Sequence, residues 1–136
     1  MLIRAFVAAS LVMATSFTSY AQTGGESEAA QIRRQLGAYA EARSRRDAHA
    51  EATYYAQHAD FRAADGTKAS GREQIERALA PRSPPSPGYR FSPAINQVRF
   101  IGAGVAIVDA VASNTGNYAR YVMVKRGDIW LIIAAG

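Results

Sequence analysis

Between Arg46 and Leu79 the chain reads RDAHAEATYYAQHADFRAADGTKASGREQIERAL, and this run fixes an order of helix, strand, tight turn, strand and helix. Asp47 is suited to cap a helix, because its side-chain oxygen can accept from the free amides of the first turn, and Ala48, Ala52 and Tyr55 recur at helical spacing. The pattern predicts a short helix over Ala48–Gln57. Asp60–Ala64 and Thr67–Ser70 flank Asp65-Gly66, a dipeptide with ready access to positive φ that suits the turns joining two twisted strands. Ser70-Gly71-Arg72-Glu73 matches the capping box, in which hydroxyl and carboxylate each satisfy a backbone amide. It predicts a helix from Gly71 to about Leu79, stopped by Pro81.

Upstream, Ile32, Leu36, Tyr39, Ala40 and Arg43 fall on one stripe of a helix expected over Glu28–Arg45, which turns Tyr39 inward. Downstream, Pro81, Pro84, Pro85 and Pro87 form a linker that neither a helix nor a central strand can include. The code then changes to strands: Tyr89–Ser92, Ala94–Ile101, Val105–Ala112, Asn117–Lys125 and Ile129–Ala135. Hairpin-sized breaks separate them, so neighbours should pair antiparallel. Helices first and strands afterwards make an α+β domain.

A helix with an internal tyrosine, followed by RDA, YYAQHADF and DGTKASGREQI, resembles the nuclear transport factor 2-like superfamily. The likeness is to its SnoaL-like and ketosteroid-isomerase-like branches of small exported proteins. NQVRFIGAGVAIVDAVA and YVMVKRGDIWLIIAA are similar to the long strands that close the family's sheet, so the resemblance covers residues 28–135. It implies a cystatin-like α+β cone, with about three helices on the concave face of a curved antiparallel sheet and a pocket between the layers. It implies no single activity, since the fold hosts isomerases, cyclases, dehydratases, binding modules and adaptors.

At 136 residues the chain is expected to hold one folded domain, residues 28–136, behind a signal peptide over residues 1–21 and a flexible stretch over 22–27. Arg4, an apolar run from Ala5 to Ala14 and Ser19-Tyr20-Ala21 have the order of a secretory leader, with cleavage after about Ala21. That places the mature protein in the periplasm or outside the cell, with no membrane attachment once the leader is removed; a retained anchor is the alternative. The leader contributes only Arg4 to the charge, so the mature chain keeps fifteen basic against eleven acidic residues, or +4. With no cysteine, disulfides, thiol nucleophiles and thiolate metal ligands are excluded. The positive charge is almost all arginine, yet Arg33, Arg34, Arg43, Arg45 and Arg46 interleave with Glu28, Glu41 and Asp47, which solvated pairing along a helix explains. Exposed aromatics in a stacking row do not accompany them, so nucleic acid is not expected as a partner.

Isomerase chemistry next to a carbonyl needs a base on one side and a hydrogen-bond donor to the oxygen on the other. By the resemblance, Tyr39 stands where the family places its first-helix tyrosine, and Ala63 falls where the isomerase base would be. Alanine cannot accept a proton, which speaks against steroid-isomerase chemistry. Asp109 interrupts the apolar run Val105–Ala112, and a charge there must find a partner or change its ionisation. A cross-strand pair with Arg120, a pocket acid and a solvated outer-face residue are all open readings. His58 with Asp60 could be a base with its orienting acid, or a helix-exit cap. The two histidines and scattered carboxylates lack metal-site spacing, and no phosphate loop or dinucleotide fingerprint is present, so neither metal nor cofactor is expected.

Tyr39, Tyr55, Phe61, Phe91, Phe100, Tyr121 and Met123 lie on the expected elements and would wall a cleft for a small apolar or amphipathic molecule, or form plain core. The leading expectation is an exported small-molecule binder. The alternatives are a cofactor-independent isomerase, cyclase or hydratase using Asp109 or His58 with Tyr39, and a module that homodimerises through its sheet.

Overall fold

A computed structural model describes residues 20–136, and of residues 20–27 only the helical backbone. The leader expected over 1–21 and the stretch 22–27 lie outside the residues whose side chains are described. Helix α1 spans Tyr20–Ser44 and is followed by α2 (Ala48–Ala52), β1 (Tyr55–Arg62), β2 (Lys68–Ser70) and α3 (Arg72–Leu79). The second half is four strands: β3 (Pro93–Gly102), β4 (Val105–Ala112), β5 (Tyr118–Arg126) and β6 (Ile129–Ala135).

The strands make one curved, unclosed sheet in the order β2-β1-β6-β5-β4-β3. Neighbours are antiparallel as expected except β1 and β6, which run parallel with Tyr55 opposite Ile132 and Phe61 opposite Ala135. That pairing corrects the second helix. It ends at Ala52 rather than Gln57, because Tyr55–Ala59 are drawn into the sheet beside β6, where an aromatic residue packs better than on a short exposed helix. Asp47 does cap α2, its Oδ1 accepting from Ala50 N at 3.0 Å.

The capping box at Ser70 does not form. Gly71 is the N-cap, at φ 87° and ψ 149°, and supplies no side chain. The Ser70 hydroxyl instead donates to Asp60 Oδ1 at 2.8 Å, and Gln74 Oε1 accepts from Ser70 N at 3.1 Å. β2 is pinned to β1 through Ser70, and Gln74 takes the capping role expected of Glu73. Tyr89–Ser92 is not a strand either; it remains part of the proline linker.

On β4, Ala106, Val108, Ala110 and Ala112 are buried while Val105, Ile107, Asp109 and Val111 are half-exposed, which identifies the inner and outer faces of the sheet. The inner face packs against Ile32, Leu36 and Tyr39 of α1, together with Tyr121, Met123, Trp130 and Ile132 from the neighbouring strands. α1 terminates at Arg46, which takes φ 57°. Asp47 N then donates to Ala42 O and Arg46 N to Arg43 O, the paired bonds of a Schellman stop. This stop leaves Tyr39 and Arg43 on the last turns, facing one end of the sheet.

Candidate functional site

At that end the layers part around a cleft of about 490 Å³. α1 contributes Tyr39 and Arg43, β1 and its turn contribute Phe61 to Ala64, the proline linker contributes Tyr89 and Phe91, and β5 contributes Ala119 and Tyr121. Asn114, Thr115 and Asn117 of the β4–β5 turn form the polar rim. The linker reaches its place by specific bonds. Phe91 N donates to Ser44 Oγ at 2.8 Å, and Ser44, the last residue of α1, holds the Phe91 ring against the helix end. Arg43 Cζ lies 4.1 Å from the Phe91 ring centroid, and Arg46 Cζ lies 4.8 Å from that of Tyr89.

The base of the cleft is a cluster of phenols. Tyr39 makes edge-to-face contacts with Tyr54, Tyr55, Phe91 and Tyr121, at centroid separations of 5.8–6.3 Å. Its hydroxyl accepts from Arg43 Nη1 at 3.0 Å and lies 3.3 Å from the Tyr55 hydroxyl. Burial first, and then the neighbouring Tyr39 phenol, push the Tyr55 hydroxyl well above its ordinary pKa; burial does the same to Tyr121, with Arg43 opposing. Both phenols therefore stay protonated. If Tyr55 donates to Tyr39, the Tyr39 oxygen accepts two bonds and its own proton is free to point into the cleft. Burial works against the charge on Arg43, but the Tyr39 oxygen and the nearby Glu51 hold its proton above the ordinary arginine value, so it remains a cation.

Of the expected lining, Tyr39, Phe61, Phe91 and Tyr121 do line the cleft. Tyr55, Met123 and Phe100 do not: Tyr55 and Met123 are fully buried core, and Phe100 packs edge-on against Trp130, ring centroids 5.9 Å apart. The expected catalytic acid is also elsewhere. Asp109 is on the outer face directly opposite Arg120, with Arg120 Nε donating to its Oδ1 at 2.7 Å. The hydrogen bond from Arg120 holds the Asp109 carboxyl below its ordinary range. The cross-strand pair is the correct reading, because the inward positions of β4 are taken by alanine and valine. His58 is on β1 rather than at a helix exit, exposed beside the start of α3. Neither group shares the cleft with Tyr39, so the catalytic pairing of Asp109 or His58 with Tyr39 is withdrawn. Ala63, where the resemblance puts the base, does line the cleft, and among the described lining residues there is no Asp, Glu or His.

Sequence reasoning missed Arg43 and Glu51. Arg43 was legible as a member of the inward stripe of α1 but read as part of a solvated charge pattern. Glu51 is fully buried on α2 and pairs through Oε2 with Arg82 Nη2, while its Oε1 has no partner among the described residues. No local pattern distinguishes it from an exposed helical glutamate, since Arg82 is thirty-one residues away.

No protein-family model matches the chain, and no curated protein does. Solved structures do. A domain of unknown function with a cystatin-like fold from Nostoc punctiforme superposes with a TM-score of 0.64 at 21% identity, covering 83% of this chain and 75% of that one. A ketosteroid isomerase-like protein from Erwinia carotovora atroseptica gives 0.61 at 17% identity, with coverage of 78% and 91%. An ntf2-like protein of unknown function from Shewanella baltica gives 0.63 at 16% identity, with coverage of 81% and 91%. At such identities it is the fold that is shared.

Proposed function

We propose that this chain, which has the cystatin-like, nuclear transport factor 2-like fold, is an exported binding protein for a small amphipathic molecule held in the cleft above Tyr39. The observation that carries the reading is the composition of the cleft. Aromatic rings and alanines line it, with phenol and guanidinium donors at its base, and among the described lining residues there is no Asp, Glu or His side chain to take a carbon-bound proton. The protonated phenols cannot serve as that base near neutral pH. Orientation by hydrogen-bond donors and burial of an apolar body are what such a surface can supply.

The test is native mass spectrometry of the purified protein, alone and against a small-molecule library, beside an Ala119→Phe variant whose ring would occupy the cleft. A bound molecule of one-to-one stoichiometry that the variant excludes is expected. Wild type and variant retaining the same molecules would end the proposal. Export rests on the leader-like order of residues 1–21, and N-terminal sequencing of periplasmic or secreted protein should begin near Gln22.

A second reading, homodimerisation through the sheet, draws on the outer face. Ile107, Val111 and Val122 are only half-buried there, and Ile101 and Ile129 are each 55% exposed at strand ends. Sedimentation velocity at micromolar concentration should then report a dimer, and a lone monomer would dismiss it.

A further inference from the structure

We propose that the cleft is selective for an anion: its ligand carries a carboxylate or similar acidic group that docks on Arg43 and Tyr39, with its apolar body between Phe61, Phe91 and Tyr121. The inference rests on the binding reading above and adds the charge class of the ligand.

Arg43 is half-buried and lines the cleft, yet no carboxylate among the described residues lies within ion-pair distance of it. The nearest buried acid, Glu51, is committed to Arg82. A guanidinium has five N–H donors, and among the described residues the one hydrogen bond Arg43 makes is to the Tyr39 oxygen. Its Cζ lies over the Phe91 ring, 4.1 Å from the centroid, a contact that uses none of its N–H groups as a conventional hydrogen bond. An arginine held in place by a ring and a phenol in this way suits a planar, two-oxygen anion, which its forked donors can bind at two points. The Tyr39 hydroxyl stands 3.0 Å from Arg43 and can add a further donor on the same side.

The surroundings reinforce the selection. Arg62 stands exposed at the cleft mouth, and among the described residues no aspartate or glutamate side chain lines the cleft to pair with a cationic or basic ligand. Arg43 is partly withdrawn from water with Glu51 acting on it only from beyond ion-pair distance, and a bound anion would give it the direct charge partner that a neutral ligand cannot. The chain's excess of basic over acidic residues adds a long-range attraction of the same sign.

The experiment is isothermal titration of the wild-type protein with matched probes: benzoate, 2-naphthoate and decanoate, each beside its neutral primary amide, and 2-naphthylmethylammonium as the cationic control. The best-fitting acid is expected to bind about tenfold or more tighter than its amide, with the ammonium weakest and the acid's advantage shrinking in high salt. Arg43→Gln should weaken the acid far more than its amide and so erase most of the acid's advantage, and Arg43→Lys should keep part of the preference. Acid and amide binding equally to wild type would overturn anion selection while leaving the binding reading intact. An acid preference that survives Arg43→Gln would overturn the docking on Arg43. If no probe of any charge binds, the binding reading falls and the inference with it. The wild-type comparison and its salt dependence decide the case even if the variants fold poorly.

Discussion

Replacing Arg82 by methionine should cost far more stability than replacing its partner Glu51 by glutamine. The Glu51 side chain has no exposed surface, while the Arg82 side chain retains 21% of its own. In Arg82→Met the carboxylate remains in a dry site with both oxygens unsatisfied, and breaking a buried pair from that side costs about 3–5 kcal/mol. In Glu51→Gln the amide keeps the volume and can still accept from Arg82, so the loss is that of a charge-assisted bond becoming neutral, about 1–2 kcal/mol. Removing both, as Glu51→Met with Arg82→Met, should recover most of the loss and come within about 1 kcal/mol of wild type. For a domain of this size about 3 kcal/mol corresponds to roughly 12 °C in Tm.

Urea unfolding followed by the fluorescence of Trp130, the only tryptophan, resolves these differences. The buried-pair account fails if Arg82→Met is no worse than Glu51→Gln, or if the double variant recovers none of the loss. Because Arg82 opens the proline linker that delivers Tyr89 and Phe91, the variant should also weaken any ligand bound in the cleft.

Three further outcomes follow from individual contacts. Gly71→Ala should destabilise by about 1–3 kcal/mol in thermal melts, since φ 87° with ψ 149° is a region open to glycine and the added Cβ would sit 3.4 Å from Gln57 O. Ser44→Ala leaves the Phe91 N–H without its acceptor and should cost about 1–2 kcal/mol, with faster amide exchange at Phe91 as the local readout. Asp109→Asn should lower Tm slightly at neutral pH. Because Arg120 depresses the Asp109 pKa, the pair's contribution is present above the ordinary carboxylate range and is lost as pH falls through the depressed value, so the two proteins should converge in acid; a gap that widens there would contradict the pairing.

Periodicity and turn chemistry were legible because they are local. The inward stripe of α1, the Asp47 cap, the Asp65-Gly66 turn and the exact limits of β4 and β6 depend on residues only a few positions apart. The alternation along β4 put Asp109 on one face with Val105, Ile107 and Val111, and named Arg120 as a candidate neighbour. It could not say which face looks outward, since alternation has no sign until the helices choose a side.

What the chain determined by itself was its class, its element order and Tyr39 turned inward. Only the tertiary structure decided that Tyr55–Ala59 are strand, because the parallel partner β6 lies more than seventy residues away and its hydrogen bonds outweigh a short helix's preference. Packing also decided which aromatics are core and which face the cleft. It brought Glu51 to Arg82 and left Arg43 with a single hydrogen bond among the described residues, because burial and charge compensation are properties of the assembled layers and have no signature along the chain.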